Sequence, residues 1–321
     1  MVKKLAGALV VAFLVASTLS TAALAQRRFL SLASGWVVGV YYPIAGAMSR
    51  IIYKADIGIR LTVESSGASV ANAKLIQSGD ADFAILQNDI AYYAYRGETL
   101  EAFRGDPVAN MRGVLGMHLE PVQLVARADA RINSVADLRG KRVNLGPLGS
   151  GAEQNALQVL EAYGLSVRDL GRAERLSAAE AADYLKDGRI EAAFFTVGLG
   201  AAAIQDVAVV TPIKIVPVDE PSFASLRQRY PFYAREVIPP GVYKGVDAPV
   251  PTVAVRAIMV ARAELEDEIV YKVLKAIFND LDTLYTAHAA AKQITLEKAL
   301  DAMPVPLHPG AEQFYREAGL L

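Results

Sequence analysis

Four short clusters hold the residues of this chain that could do chemistry: Trp36 to Tyr42, Ser65 to Ser69, Gln87-Asn88-Asp89 and Leu148-Gly149-Ser150-Gly151. None assembles a catalytic set. Gly149-Ser150-Gly151 lacks the first glycine of a nucleophile elbow, because Leu148 stands there, and Gly146, Gly149 and Gly151 lack the Lys-Ser/Thr pair that completes a phosphate loop. The three histidines, His118, His288 and His308, are far apart and in no metal-ligand spacing, and His308 in Pro306-Leu307-His308-Pro309-Gly310 reads as part of a structural turn. There is no cysteine, hence no disulfide, thiol nucleophile or lipid-acceptor thiol. The sequence gives no reason to expect an enzyme, a metal or a cofactor.

What the clusters share is position. Each follows an expected strand and precedes an expected helix, the place where open α/β sheets bind ligands. A helix N-terminus offers unpaired N–H donors and a partial positive charge, so several together hold an anion without a lysine. Ser66, Ser69 and Ser150 suit either helix capping or ligand contact, and the two roles coexist in a turn at the mouth of a site. Of the adjacent Tyr41 and Tyr42, one is expected to be buried and one to face the site. Gln87, Asn88 and Asp89 end an apolar strand with donors and acceptors that fit an amide, carboxylate or amino group, while Asp89 also suits the opening of the next helix.

The elements that must position these residues read as two α/β lobes. The strand Gly58 to Val63, the turn at Gly67, a helix and the strand after Gly79 and Asp82 match in spacing Gly140 to Leu145, the turn at Gly149, a helix and the strand after Gly188 and Glu191. This repeat sets Gln87 and Thr196 at matching strand ends, so Thr196, Val197 and Gly198 join the candidate site. Two apolar extended runs, Val122 to Arg127 within a crossing at about 116–127 and Val253 to Val260, read as the hinge. The expected lobes are 26–116 with 250–321, and 117–249. A long amphipathic helix is expected over about 265–288, with further helices at 295–302 and 311–318.

Met1 to Ala25 carries Lys3 and Lys4, an apolar run from Leu5 to about Leu19, and Ala23-Leu24-Ala25 before Gln26. That is the pattern of a cleaved signal peptide, and the run falls short of the ~20 residues that span a bilayer. The chain of 321 residues is 53% hydrophobic, enough for two cored lobes. Its formal charge is −1; losing two lysines and no acid makes it −3, which excludes a nucleic-acid partner as an expectation. The expected location is the periplasm, as a free monomer.

Gly39-Val40-Tyr41-Tyr42-Pro43, Val63 to Asn72, Gln87 to Gly97, Gly146 to Gly151, Thr196-Val197-Gly198, Ile238 to Gly245 and Pro306 to Ala311 together resemble the TAXI solute-binding proteins of tripartite ATP-independent periplasmic (TRAP) transporters. The resemblance covers almost the whole mature chain. It implies a type II periplasmic binding protein fold, no catalysis, and delivery of a small organic anion or amino acid, of the glutamate, glutamine or 2-oxoglutarate kind, to a TRAP membrane carrier. Carried onto this chain, it implies ligand contacts from Trp36, Val38, Tyr41, Tyr42, Ser66, Ser69, Gln87, Asn88 and Asp89 in one lobe, and from Ser150, Gly151, Thr196, Val197 and Gly198 in the other. Trp36 and Val38 stand where the family usually has glycine and threonine, Ala68 replaces a glycine, and Leu199-Gly200 replaces a segment that usually ends in proline. The first wall of the site is therefore bulkier and less polar than the family pattern. A ligand sensor reporting to a membrane receptor is the alternative reading.

Overall fold

The computed structural model describes residues 27–321, and the expected signal segment lies outside the described residues. Strands β1 (Arg28–Ala33), β2 (Ile59–Glu64) and β3 (Phe83–Gln87) form a parallel trio with β1 at its centre. They alternate with helices α1 (Tyr41–Ala55), α2 (Ser69–Ser78) and α3 (Asn88–Arg96). Helix α1 forms because Ile44, Met48, Ile51 and Ile52 recur at helical spacing, and all four are buried. It starts two residues earlier than Pro43, which sits in the first turn, where its missing N–H has no partner to lose.

The chain then crosses on β4 (Met111–Arg127) into a second trio, β5 (Arg142–Asn144), β6 (Arg172–Glu174) and β7 (Ala192–Thr196), parallel with β5 at its centre. Helices α4 (Gly151–Ala162) and α5 (Ala178–Lys186) connect it. Helix α6 (Ala202–Val210), β8 (Ile213–Val216), α7 (Glu220–Arg229) and β9 (Ala234–Ile238) follow. The return strand is β10 (Val250–Arg262), and α8 (Asp267–Asn279), α9 (Leu281–Ala287) and α10 (Pro309–Glu317) close the chain. The strand order is β2-β1-β3-β10-β4-β7-β5-β6, with β8 on β4 and β9 on β10.

The two long antiparallel strands β4 and β10 are the only elements of this order that belong to both trios' surroundings, and their side chains change core along their length. On β4, Leu115 and Met117 pack with α1 and β1, whereas Val122 and Leu124 pack with α4 and β5. On β10 the change falls between Val255 and Ala257. The protein is thus two α/β lobes joined by two extended strands.

The internal repeat is real but is placed differently from the sequence reading. Topologically β5 answers to β1, the centre of its trio, and not to β2, because the β6–α5 unit intervenes before β7. The match of Gly58 and Gly67 with Gly140 and Gly149 reflects only that turns before strands and helices favour glycine. The match of Gly79 and Asp82 with Gly188 and Glu191 holds structurally. Both glycines have left-handed φ, 79° and 70°, and both acids accept from the central strand's backbone: Asp82 from Ser31 N at 2.9 Å, Glu191 from Arg142 N at 2.8 Å.

Two expected helices differ. The run over 265–288 breaks at Asp280, whose carboxylate accepts from Thr283 Oγ1 at 2.8 Å and Lys54 Nζ at 3.0 Å, starting a new helix rather than continuing the old one. Residues 295–302 form turns. The Ala299 carbonyl there accepts from Gly116 N of β4 at 2.6 Å, so it is spent on the crossing strand.

Candidate functional site

The loops that leave β1 and β5 and the ends of β3 and β7 meet between the lobes around a cavity of about 40 Å³. Trp36, Tyr41, Ser69, Gln87 and Glu120 line it from one side, and Ser150, Gly151, Thr196 and Val197 from the other. A second cavity of about 20 Å³ lies behind a shared wall of Trp36, Gly39, Ala152, Thr196 and Val197. Its own lining is apolar, with Val38, Pro147, Leu176, Phe194, Phe195 and Ala201 in it, apart from Asn144.

The helices that start here are poorly capped by side chains. The N-cap residues Val40 of α1, Ala68 of α2 and Gln87 of α3 make no side-chain cap bond, while Ser150 of α4 accepts from Glu153 N at 3.1 Å. Capping is therefore Ser150's structural role, and it also lines the cavity. Ser69 lies inside α2, where its hydroxyl accepts from Gln87 N at 3.1 Å and fixes the end of β3. No lysine or arginine lines either cavity, so an anion here would rest on backbone donors. The basic residues Arg96, Arg127 and Lys141 are engaged with Glu98, with Asp129 and the Leu185 carbonyl, and with the Ala130 carbonyl respectively.

Several candidate residues do not reach these cavities. Ser66 donates to Asn72 Oδ1 at 2.6 Å and accepts from Ala68 N at 3.1 Å, holding the turn before α2. Asn88 Oδ1 accepts from Arg256 N of β10 at 3.1 Å, which ties α3 to the crossing strand. Asp89 accepts from Ile90 N at 2.8 Å and from Asn155 Nδ2 at 2.9 Å. Tyr42 is half-buried and lines neither cavity, and Gly198 abuts His118, Ala290 and Val40, on all of which a Cβ would press. Of the tyrosine pair, Tyr41 is the buried one and it is also the one at the cavity. Trp36 is half-buried and forms part of both cavities.

Sequence reading passed over Glu120. This carboxyl lies in the middle of β4, 2% exposed, and accepts from the Tyr41 hydroxyl at 2.6 Å. Burial, with Asp89 adding to it, pushes Glu120 up to about 8. His118, two residues before it, is fully buried with neither ring nitrogen partnered, and burial pushes it down to about 3, so it is neutral. Its one trace in the sequence is an acid in the apolar stretch Val114 to Val125 that the hinge had to bury, which does not by itself mark a site.

The lobes are closed on each other. Asn155 of α4 donates to Asp89 of α3 and to Tyr233 Oη, both at 2.9 Å; Tyr233 donates to Gln158 Oε1 at 2.7 Å, and Gln158 reaches Tyr93 of α3 at 3.4 Å. A Cβ on Gly151 would stand 1.8 Å from Gln87 Oε1, so a larger residue at the start of α4 would displace the Gln87 side chain at the end of β3.

Residues 32–319, nearly all that is described, match the family described as NMT1-like. The chain belongs to the NMT1-like family. Among solved structures, this NMT1-like protein resembles the periplasmic binding protein BugD, at TM-score 0.57 and 13% identity over 90% of this chain and 95% of that one. It also resembles PhnD1 from Prochlorococcus marinus in complex with methylphosphonate, at 0.54 and 12% over 92% and 100%. A third is the periplasmic aliphatic sulphonate binding protein SsuA from Escherichia coli, at 0.51 and 13% over 90% and 78%. At these identities the likeness establishes the fold, which is that of periplasmic binding proteins.

Proposed function

We propose that this protein is a periplasmic solute-binding protein that closes its two lobes around a small carboxylate-bearing solute and delivers it to the membrane carrier of a TRAP transporter. The observation that carries the reading is the cavity itself: both lobes line it, and two helix starts without side-chain caps, those of α1 and α2, meet there with no basic residue. The residue-level resemblance to TAXI proteins supports the TRAP carrier as partner, and the Ala-Leu-Ala site before Gln26 supports export. The described residues contain no helix long and apolar enough to cross a membrane. The lobes we assign are 26–116 with 250–321, and 117–249.

The test is a thermal-shift screen of carboxylic acids, amino acids, sugars and polyamines against the purified chain. A ligand that binds only the native state raises the melting midpoint in proportion to the logarithm of its concentration. We expect stabilisation from carboxylate-bearing compounds. Stabilisation by sugars or polyamines alone would overturn the reading, and so would none from any class.

A further inference from the structure

We propose that Glu120 selects the solute by holding a protonated amine, and that the solute is an α-amino acid with an apolar side chain rather than a dicarboxylate. The inference rests on the solute-binding reading above and narrows it to a substrate class.

Three observations carry it. First, the cavity combines opposite electrostatic preferences. The starts of α1 and α2 favour negative charge, yet a buried carboxyl sits beside them, with the Tyr41 hydroxyl as donor and no lysine or arginine in the lining. A ligand bearing both signs reconciles the two: its carboxylate faces the helix N–H groups and its ammonium faces Glu120. Secondly, the partnerless groups of this lining can both accept, Gln87 Oε1 exclusively and the Thr196 hydroxyl while also able to donate. Gln87 Oε1 and Thr196 Oγ1 are both buried, both without a hydrogen-bond partner, and both belong to the lining that contains Glu120. With Glu120 they make three acceptors, and an ammonium carries three N–H donors. Thirdly, the adjoining cavity is apolar and holds no charged residue. A second carboxylate there would be buried without a partner, whereas an aliphatic side chain would fill the space beside Trp36 and Phe194.

The groups facing Glu120 leave its charge free for the ligand. Tyr41 comes from α1, the neutral Gln87 amide from the end of β3, Asp89 from α3 and His118 from β4 itself, and none is cationic. Arg256 and His288 act on His118, and the Arg256 guanidinium is turned to the Met117 carbonyl at 2.6 Å.

Trp36 is the sole tryptophan and borders both cavities, so its fluorescence reports binding directly. The probes are alanine, valine and leucine, their amine-free counterparts propionate, isovalerate and isocaproate, and glutamate, titrated by fluorescence and calorimetry. We expect at least one of the three apolar amino acids to bind about tenfold or more tighter than its amine-free partner and than glutamate. In Glu120→Gln the amino acid should lose about tenfold or more, while the amine-free acid holds or gains, since a charge-assisted contact is removed from one and not the other. Between about pH 8 and pH 6 protons compete with the ammonium for Glu120, so wild-type affinity for the amino acid should fall as pH falls, by up to about tenfold per pH step.

The inference is overturned if the amine-free acids bind as tightly as the amino acids, or tighten as pH falls, which would make Glu120 a proton donor to a carboxylate. Glutamate binding more tightly than the apolar amino acids also overturns it, as does unchanged amine discrimination in a cooperatively folding Glu120→Gln. Should that variant not fold, the matched pairs and the pH slope in the wild-type chain decide alone. Binding of amine-free acids only would leave the solute-binding reading standing, whereas binding of none of the probes, together with a blank thermal-shift screen, would remove both.

Discussion

Ala68 is held at φ 69° and ψ −148°, a region open in practice to glycine. Its N–H is pinned by Ser66 Oγ and its carbonyl accepts the first helical bond of α2 from Asn72 N at 2.8 Å, so the backbone cannot relax without losing the helix start at the cavity. Replacement of Ala68 by Gly should therefore raise stability by about 1 kcal/mol, against the usual sign for adding a glycine, because relief of about 1–3 kcal/mol of strain outweighs the added unfolded-state entropy. Urea unfolding measures this, and a less stable variant would mean that the Ala68 methyl contributes more by packing than its conformation costs. At this scale Gln87 and Thr196 were legible as polar residues ending apolar strands. Glu120 was not, because one acid inside a hinge strand looks like any buried exception until the partner, Tyr41, is seen 79 positions away.

At the level of elements, α3 and α4 are linked across the cleft by polar groups: Asp89 with Asn155, and Tyr93 with Gln158, bridged by Tyr233. These bonds exist in the closed arrangement, so they bias closure and not the folding of either lobe. Asn155→Leu keeps the bulk and removes both donations, leaving Asp89 buried without its cross-lobe partner. A buried bond to a carboxyl is worth about 1.5–3 kcal/mol, so ligand affinity should fall about tenfold to a hundredfold while each lobe's packing is kept, and small-angle scattering of the liganded protein should show a larger radius. Unchanged affinity would show that the network follows closure without favouring it. The sequence could not reveal such a contact, since Asp89 reads as an ordinary helix opener and Asn155 as one polar residue in an amphipathic helix. It did reveal the Gly79–Asp82 and Gly188–Glu191 pairs, because a left-handed glycine before a strand and an acid bonded to the neighbouring strand are local requirements. The register of the rest of the repeat was lost, because the turn from β6 into α5, Arg175-Leu176-Ser177, has no glycine to announce it.

Across the whole molecule, the two-lobed design was legible from two apolar crossing strands and two sets of strand-turn-helix signals, and what it conceals is the cost of closing over acids. Glu120 is pushed up to about 8 and Asp89 to about 6, both first by burial. A carboxyl whose folded-state value lies above its unfolded one binds more protons in the native state. His118, His288 and His308 act the other way, since burial lowers all three and the unfolded chain takes up their protons below about pH 6.5. Between about pH 7 and pH 8, where they are neutral in both states, Glu120 decides, and stability falls as pH rises through that window. Surface acids such as Asp169 and Glu180 are shifted the other way by their hydrogen bonds, but they are ionised in both states throughout this range and do not oppose the trend. At ~1.4 kcal/mol per tenfold change in proton affinity, Glu120 sets a ceiling on that fall on the order of 1 kcal/mol, which opening of the cleft lowers by rehydrating it. Denaturant unfolding of the ligand-free protein should show higher stability at about pH 7 than at about pH 8, and Glu120→Gln should be more stable than wild type at pH 8 and flatten most of the slope. A wild-type profile that rises with pH over the same window would mean that Glu120 meets water in the free protein, and that the cavity closes over it only when a solute is already there to share its charge.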